Sequence, residues 1–388
     1  IELAEDLDIE TVTEIFIRVN SAGVPLGQAD FAMSKIAVDS EHGGHTLRKT
    51  IDYFCHLAKV PGMLDVIRND KDFAASGNLS KIEWLGNEND DLYDPSYVDM
   101  LRVAFMTNFQ RGELKDLVAL LSGRNFETRQ FEDAVVADSF EKLSDGVSQF
   151  INKTDFNRFT MIIRSAGFVD TSMITSQNAL NFAYTVFLTL RRKGIAPHEI
   201  ERFVRRWFAM SLLTGRYSGS FETRFGEDIR GISTDNWQQY AESVFASALP
   251  DAFWDARLPM QMNTSSAASP YFRLYQAAQV KLGDRGFFSR DITVKDLLEV
   301  HSDVHHVFPR SILIEQGHGR ADYNQIANYV VCQSEINIQI GNREPKTYFA
   351  QVKNQVAGGP KAYGNIESEA ELFQNLTQNC IPDEIYNW

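Results

Sequence analysis

Apolar residues recur at helical spacing through most of the chain. Tyr97, Leu101 and Phe105, with Met100 and Ala104 beside them, follow i, i+3, i+4 intervals, as do Phe140, Leu143, Val147 and Phe150. Each set predicts a helix with one face to cover. From Asn178 to Arg192 the chain is apolar nearly all round, which predicts a helix in the middle of a bundle. In "GIAPHEIERFVRRWFAMSLLTG", Pro197 marks a helix start and Gly215 a stop. Nearer the front, Thr11 to Val19 keeps its apolar positions on one side. "NSAGVPLGQAD" then breaks the period, so residues 1–40 read as helix, turn, helix.

The texture changes after "NTSSAASP" (263–270), a small, polar, proline-closed segment that reads as a linker. "DITVKDLLEV" leads into "DVHHVFPRS", "ANYVVC" (327–332) is a short β-prone run, and "SEINIQIGNREP" predicts a helix that stops before Pro345. Strand, long loop, strand and helix fit 303–345. No internal repeat is present. The expected class is mainly α, a helical multidomain chain ending in a small α+β domain. Its expected divisions are 1–40, 41–262 and 263–388.

A length of 388 residues exceeds one ordinary core and agrees with several domains. The longest strongly apolar run, "FAYTVFLTL", is too short to span a membrane, and no secretory signal is read at the front, so no membrane partner is expected. Cys55, Cys332 and Cys380 are too widely spaced for a disulfide framework or a CxxC metal site, which favours a reducing, cytoplasmic setting. A net charge of −14 argues against whole-surface attraction to nucleic acid. It leaves local phosphate contacts open. The opening "IELAEDLDIETVTEIF" reads as the inside of a longer protein.

Four of the eight histidines, His301, His305, His306 and His318, fall within 18 residues. Imidazole titrates near neutrality and serves as a base, and imidazole with oxygen donors suits a divalent cation that keeps open positions. One-metal phosphodiester hydrolysis needs both, with something to orient the base. The other reading of "HH" is a solvated pair, or a core histidine beside an exposed one. Structural zinc is disfavoured, because Cys332 is the only nearby thiol.

In the form His305-His306-x-x-Pro309, followed by Asn328 and Asn337, the segment resembles the ββα-metal, or HNH, endonucleases. That resemblance implies His305 and Asn337 as ligands of Mg²⁺ or Mn²⁺ and His306 as the base that activates water. Asn328, expected on the second strand, would steady the base or its loop; a plain strand-edge residue is the other reading. Ser334 is the expected N-cap that sets Asn337 in the first helical turn. Asp303 reads as a support for the metal or an exposed turn carboxylate, and Arg310 as a DNA-phosphate contact or a solvated loop residue. His301 and His318 read as surface residues.

Two more segments resemble the GmrSD group of restriction proteins, which carry an N-terminal ParB-like nucleotide-binding domain, a helical region and a C-terminal HNH domain. "FIRVNSAGVPL" is similar to their F-x-R-x-N-S-x-G-x-x-L segment, and "RWFAMSLLTGRYSGSFETRFGEDI" (206–229) to their helical middle. The resemblance implies a nucleoside triphosphate pocket completed by Arg18, Asn20, Ser21 and Gly23; a bare helix-to-helix turn is the other reading. The group's Asp-Gly-Gln-Gln-Arg motif does not occur in this chain. Arg216 in "TGRYSGS" reads as a phosphate contact or as part of a helix cap and turn. Arg191, Arg192, Lys193, Arg202, Arg205 and Arg206 read as a DNA track or as solvated helix faces.

The expectation is therefore a metal-dependent endonuclease of an anti-phage restriction system, cutting double-stranded DNA that carries modified bases. A hydrolase of other phosphoesters and an inactive DNA-binding or regulatory module are the alternatives, and homo-oligomer formation is left open.

Overall fold

The computed structural model describes residues 26–88 and 92–387. Arg18, Asn20, Ser21 and Gly23 lie outside them, so the expected nucleotide pocket has no structural account. The described chain is mainly helical. Its principal helices are α1 (Gln28–Val38), α2 (Gly44–Lys59), α3 (Tyr97–Phe109), α4 (Leu114–Leu121), α5 (Asp133–Phe150), α6 (Lys153–Ser165), α7 (Gln177–Arg192), α8 (Pro197–Thr214), α9 (Phe221–Ser233), α10 (Trp237–Ala248), α11 (Pro270–Leu282) and α12 (Val294–Glu299). After them come β1 (Val304–His306), α13 (Arg310–Glu315), α14 (Arg320–Tyr323), β2 (Tyr329–Val331), α15 (Ser334–Ile340), α16 (Pro345–Val356) and α17 (Glu369–Gln378). Among the described residues no helix is long and apolar enough to cross a membrane.

Packing divides the chain into two compact units. The first holds the residues up to Phe159, Leu180–Ile200 and Tyr217–Ala241; the second holds Thr160–Ala179, Glu201–Arg216 and Glu242–Trp388.

The first unit is built as the helical periodicity predicts. Ser96 opens α3 with a reciprocal cap, its hydroxyl accepting from Asp99 N–H at 3.3 Å while Asp99 Oδ2 accepts from Ser96 N–H at 2.8 Å. Helix α5 crosses α3 closely: a Cβ on Gly146 would meet the Ala104 carbonyl oxygen at 2.9 Å. Every residue from Leu180 to Leu190 is buried. Tyr184 sits in an aromatic cluster, its ring 4.6 Å from Phe159 and 5.0 Å from Phe150, and its hydroxyl donates to the Phe150 carbonyl at 2.7 Å.

In the second unit β1 and β2 pair antiparallel, His305 opposite Val330 and His306 opposite Tyr329. One face of the hairpin joins the main core, where Phe287, Phe288, Val307, Val330, Ile336 and Tyr348 pack together. Tyr329 packs instead with Phe272 and Ile326. The 263–270 segment lies against the hairpin, with the Thr264 carbonyl accepting from Ile326 N–H at 3.3 Å. Ser269 caps α11, and Pro270 occupies its first turn. At Gly364 a Cβ would meet the Phe288 carbonyl oxygen at 2.0 Å, so only glycine lets this loop close on the core.

Candidate hydrolytic site around the histidine pair

Strand alternation sends the two histidines to different surroundings. His305 faces the core and is buried, its ring stacked 6.1 Å from Phe287. His306 is half-buried and meets the edge of the Tyr329 ring at 5.1 Å.

His305 Nδ1 lies 2.7 Å from Asn337 Oδ1. Asn337 Nδ2 donates to Asp303 Oδ2 at 3.2 Å, which orients the amide with its oxygen toward the ring. His305 therefore donates from Nδ1, and its Nε2 is buried without a partner among the described residues. Burial pushes the imidazole below its ordinary value; the Asn337 hydrogen bond opposes this in part, and the neighbouring His306 adds to it. The ring is neutral at physiological pH, the form that can offer a lone pair to a cation.

The donor set bears on the expected metal. Cis ligands of an octahedral Mg²⁺ stand about 3 Å apart, close to the 2.7 Å between His305 Nδ1 and Asn337 Oδ1. That spacing is also the hydrogen bond itself, so the pair could take two adjacent positions only with the ring proton moved to Nε2 and with water and phosphate completing the shell. Among the described residues no group of three or more His, Cys, Asp or Glu side chains forms a metal cage.

Asn328 ends the helical turn before β2 rather than lying on the strand. It is buried, and its side chain staples the intervening loop: Oδ1 accepts from Phe308 N–H at 2.7 Å, while Nδ2 donates to the Phe308 and Tyr323 carbonyls at 3.0 and 2.9 Å. The residue does for this turn what Asn375 does for Gly286–Ser289, where it bonds Phe288 N–H and the Gly286 and Ser289 carbonyls. Helix α15 starts one residue earlier than expected, with Gln333 at the N-cap and no side-chain cap bond, so Ser334 is its first residue. Asn337 still closes the first turn.

Asn324 is the residue that sequence reasoning missed. Its Oδ1 stands 2.9 Å from His306 Nε2, 18 positions away in the chain and beyond the short helices α13 and α14. Arg310 is exposed and lies 5.2 Å over the Tyr323 ring. His301, with φ of 52°, and His318 are exposed as expected.

Five of the six residues of the basic stretch are paired within the chain, and Arg202 is exposed. Arg191 pairs with Asp155, Arg192 donates to the Thr107 carbonyl, and Lys193 donates to the Ser233 carbonyl at 2.9 Å. Arg205 bonds Ser165 Oγ at 3.1 Å, and Arg206 pairs with Glu242 at 2.7 Å. Arg216 stacks 5.4 Å over Trp207. A separate cleft of about 620 Å³, lined in part by Gln339, Arg343, Gln351, Asn354 and Lys361, contains none of the histidines.

No family model matches the chain, and no solved structure matches it. Uncharacterized protein MJ0686 of Methanocaldococcus jannaschii is similar at 22% identity over 225 residues, a match that takes in 52% of this chain. It spans 37% of that protein's length.

Proposed function

We propose that residues 303–345 form an HNH-type ββα module that hydrolyses phosphodiester bonds of double-stranded DNA, within a GmrSD-like restriction protein acting on modified DNA. The observation that carries this reading is the joint placement of His305, His306 and Asn337 on a hairpin and the helix that follows it. His306 takes a proton from water, the water oxygen attacks phosphorus, and one P–O ester bond breaks. The departing oxygen leaves as a hydroxyl after taking up a proton. Asn328 keeps the loop closed so that the base keeps its place. His305 and Asn337 would hold Mg²⁺ or Mn²⁺, which when bound neutralises charge developing on the phosphate and leaving oxygen. Arg310, exposed four residues after His306, is the cation assigned to a flanking phosphate. The nucleoside triphosphate belongs to the N-terminal segment of the same reading.

A second reading, an inactive DNA-binding or regulatory module on the same hairpin, draws on the two-ligand set and the absence of a metal cage among the described residues. Incubating supercoiled plasmid, unmodified or carrying modified cytosines, with the protein and Mg²⁺ separates the two. Nicked or linear product that disappears in His306→Ala supports the nuclease. A mobility shift without cleavage on either plasmid supports the module.

A further inference from the structure

We infer that Asn324 is a positioning residue for His306: its side-chain oxygen takes the Nε2 proton and leaves Nδ1 as the ring's free lone pair. The inference rests on the reading of His306 as the base. The contact is 2.9 Å, and no other hydrogen bond to this ring is present among the described residues. Tyr329 meets the ring at an interplanar angle of 89°, so the imidazole is held by an edge contact as well as at Nε2. Nδ1 has no hydrogen-bond partner among the described residues, on a ring that is only half-buried, and is the nitrogen left to take a proton from water.

Asn324 is itself held in place. It caps α14, its N–H bonding the Arg320 carbonyl at 3.2 Å. The preceding carbonyl, that of Tyr323, accepts from Asn328 Nδ2 at 2.9 Å. A line of hydrogen bonds and one peptide link thus runs from Asn328 through residues 323 and 324 to the imidazole. An amide oxygen also selects one tautomer without placing a negative charge beside an anionic phosphodiester. A carboxylate would select the same tautomer but would also stabilise the protonated ring and repel the substrate, so the two side chains should differ in KM.

The test uses the full chain with ¹⁵N-labelled histidine, in wild type, Asn324→Leu and Asn324→Asp. Ring-nitrogen shifts are read without metal, and kcat and KM are read on plasmid with Mg²⁺. Wild type and Asn324→Asp should carry the His306 proton on Nε2, whereas Asn324→Leu should show mixed tautomers. In Asn324→Leu kcat should fall about 10- to 100-fold at unchanged KM, the usual loss when the partner that orients a functional histidine is removed. Asn324→Asp should keep the Nε2 tautomer and raise KM. A wild-type proton on Nδ1, or tautomers and kcat unchanged in Asn324→Leu, would overturn the inference. Wild-type cleavage rates in His306→Ala would instead overturn the base assignment, without altering the ring-nitrogen result. If no plasmid is cut, the ring-nitrogen comparison alone decides the role of Asn324.

Discussion

The centre of α7 and the 303–340 segment both bury a run of side chains, by opposite means. From Leu180 to Leu190 burial is continuous and chiefly apolar; of its polar members Asn181 bridges Tyr93 and Asp99, Thr185 bonds back to the Asn181 carbonyl, and Thr189 Oγ1 is buried with no hydrogen-bond partner among the described residues. In the second segment the strands are three residues each, and placement depends on side-chain hydrogen bonds from three asparagines, Asn328, Asn337 and Asn324. Apolar burial is non-directional and tolerates small shifts. Hydrogen bonds are directional, and a buried partner left unpaired is costly. The first region should therefore respond to mutation in stability, and the second more in geometry and chemistry.

The largest stability loss should come from the first region. Tyr184→Ala removes a fully buried ring from the aromatic cluster and should cost about 3–5 kcal/mol in urea unfolding. A loss below ~1 kcal/mol would mean the cluster is not a packed core. Asn328→Ala should cost less, about 1–3 kcal/mol, because it orphans Phe308 N–H and two carbonyls. It should also lower cleavage by more than the unfolded fraction explains, since Asn324 shifts with the loop. Equal losses of stability and activity would remove that link.

His305→Ala and Asn337→Ala should each raise the Mg²⁺ concentration for half-maximal cleavage by about tenfold, equivalent to ~1.4 kcal/mol. The double variant should be little worse than the poorer single, because both donors serve one cation. Strict additivity of the two shifts would separate the residues into different sites. Mn²⁺ should support wild-type cleavage at least as well as Mg²⁺, imidazole being a better partner for it.

The smallest effect concerns pH. His305 has a folded value below its ordinary 6.5, so its contribution is fully present above that pH. As pH falls from about 6.5 toward the lowered folded value, the unfolded chain takes up a proton that the folded chain refuses, and stability declines. In metal-free buffer the Tm of wild type should fall faster over this range than that of His305→Gln. Parallel curves would place the imidazole in water.

Much of the helical framework was legible because its signals are local. Phe140, Leu143, Val147 and Phe150 are all buried on α5, and Pro197 opens α8 as its fixed φ suggests. The pairing of His305 with Asn337 was legible at the level of residue type and spacing. Asn324 was not, because an asparagine at the end of a four-residue helix carries no periodicity, and its partner lies 18 positions away. The packing of 263–270 against the hairpin was hidden for the same reason: small polar residues look identical in a free linker and in a docked one. Local pattern reports which face must be covered; long-range polar pairing depends on where the chain returns.

The central claim is that adjacent histidines divide the chemistry, His306 activating water while His305 serves the cation. The direct measurement is single-turnover cleavage of plasmid by wild type and His306→Ala, at saturating Mg²⁺ and matched DNA affinity. Loss of about 10²–10⁴ in rate with binding and Tm unchanged is the predicted result, because a general base acts on the barrier and not on ground-state binding. Cleavage by His306→Ala at the wild-type rate would contradict it.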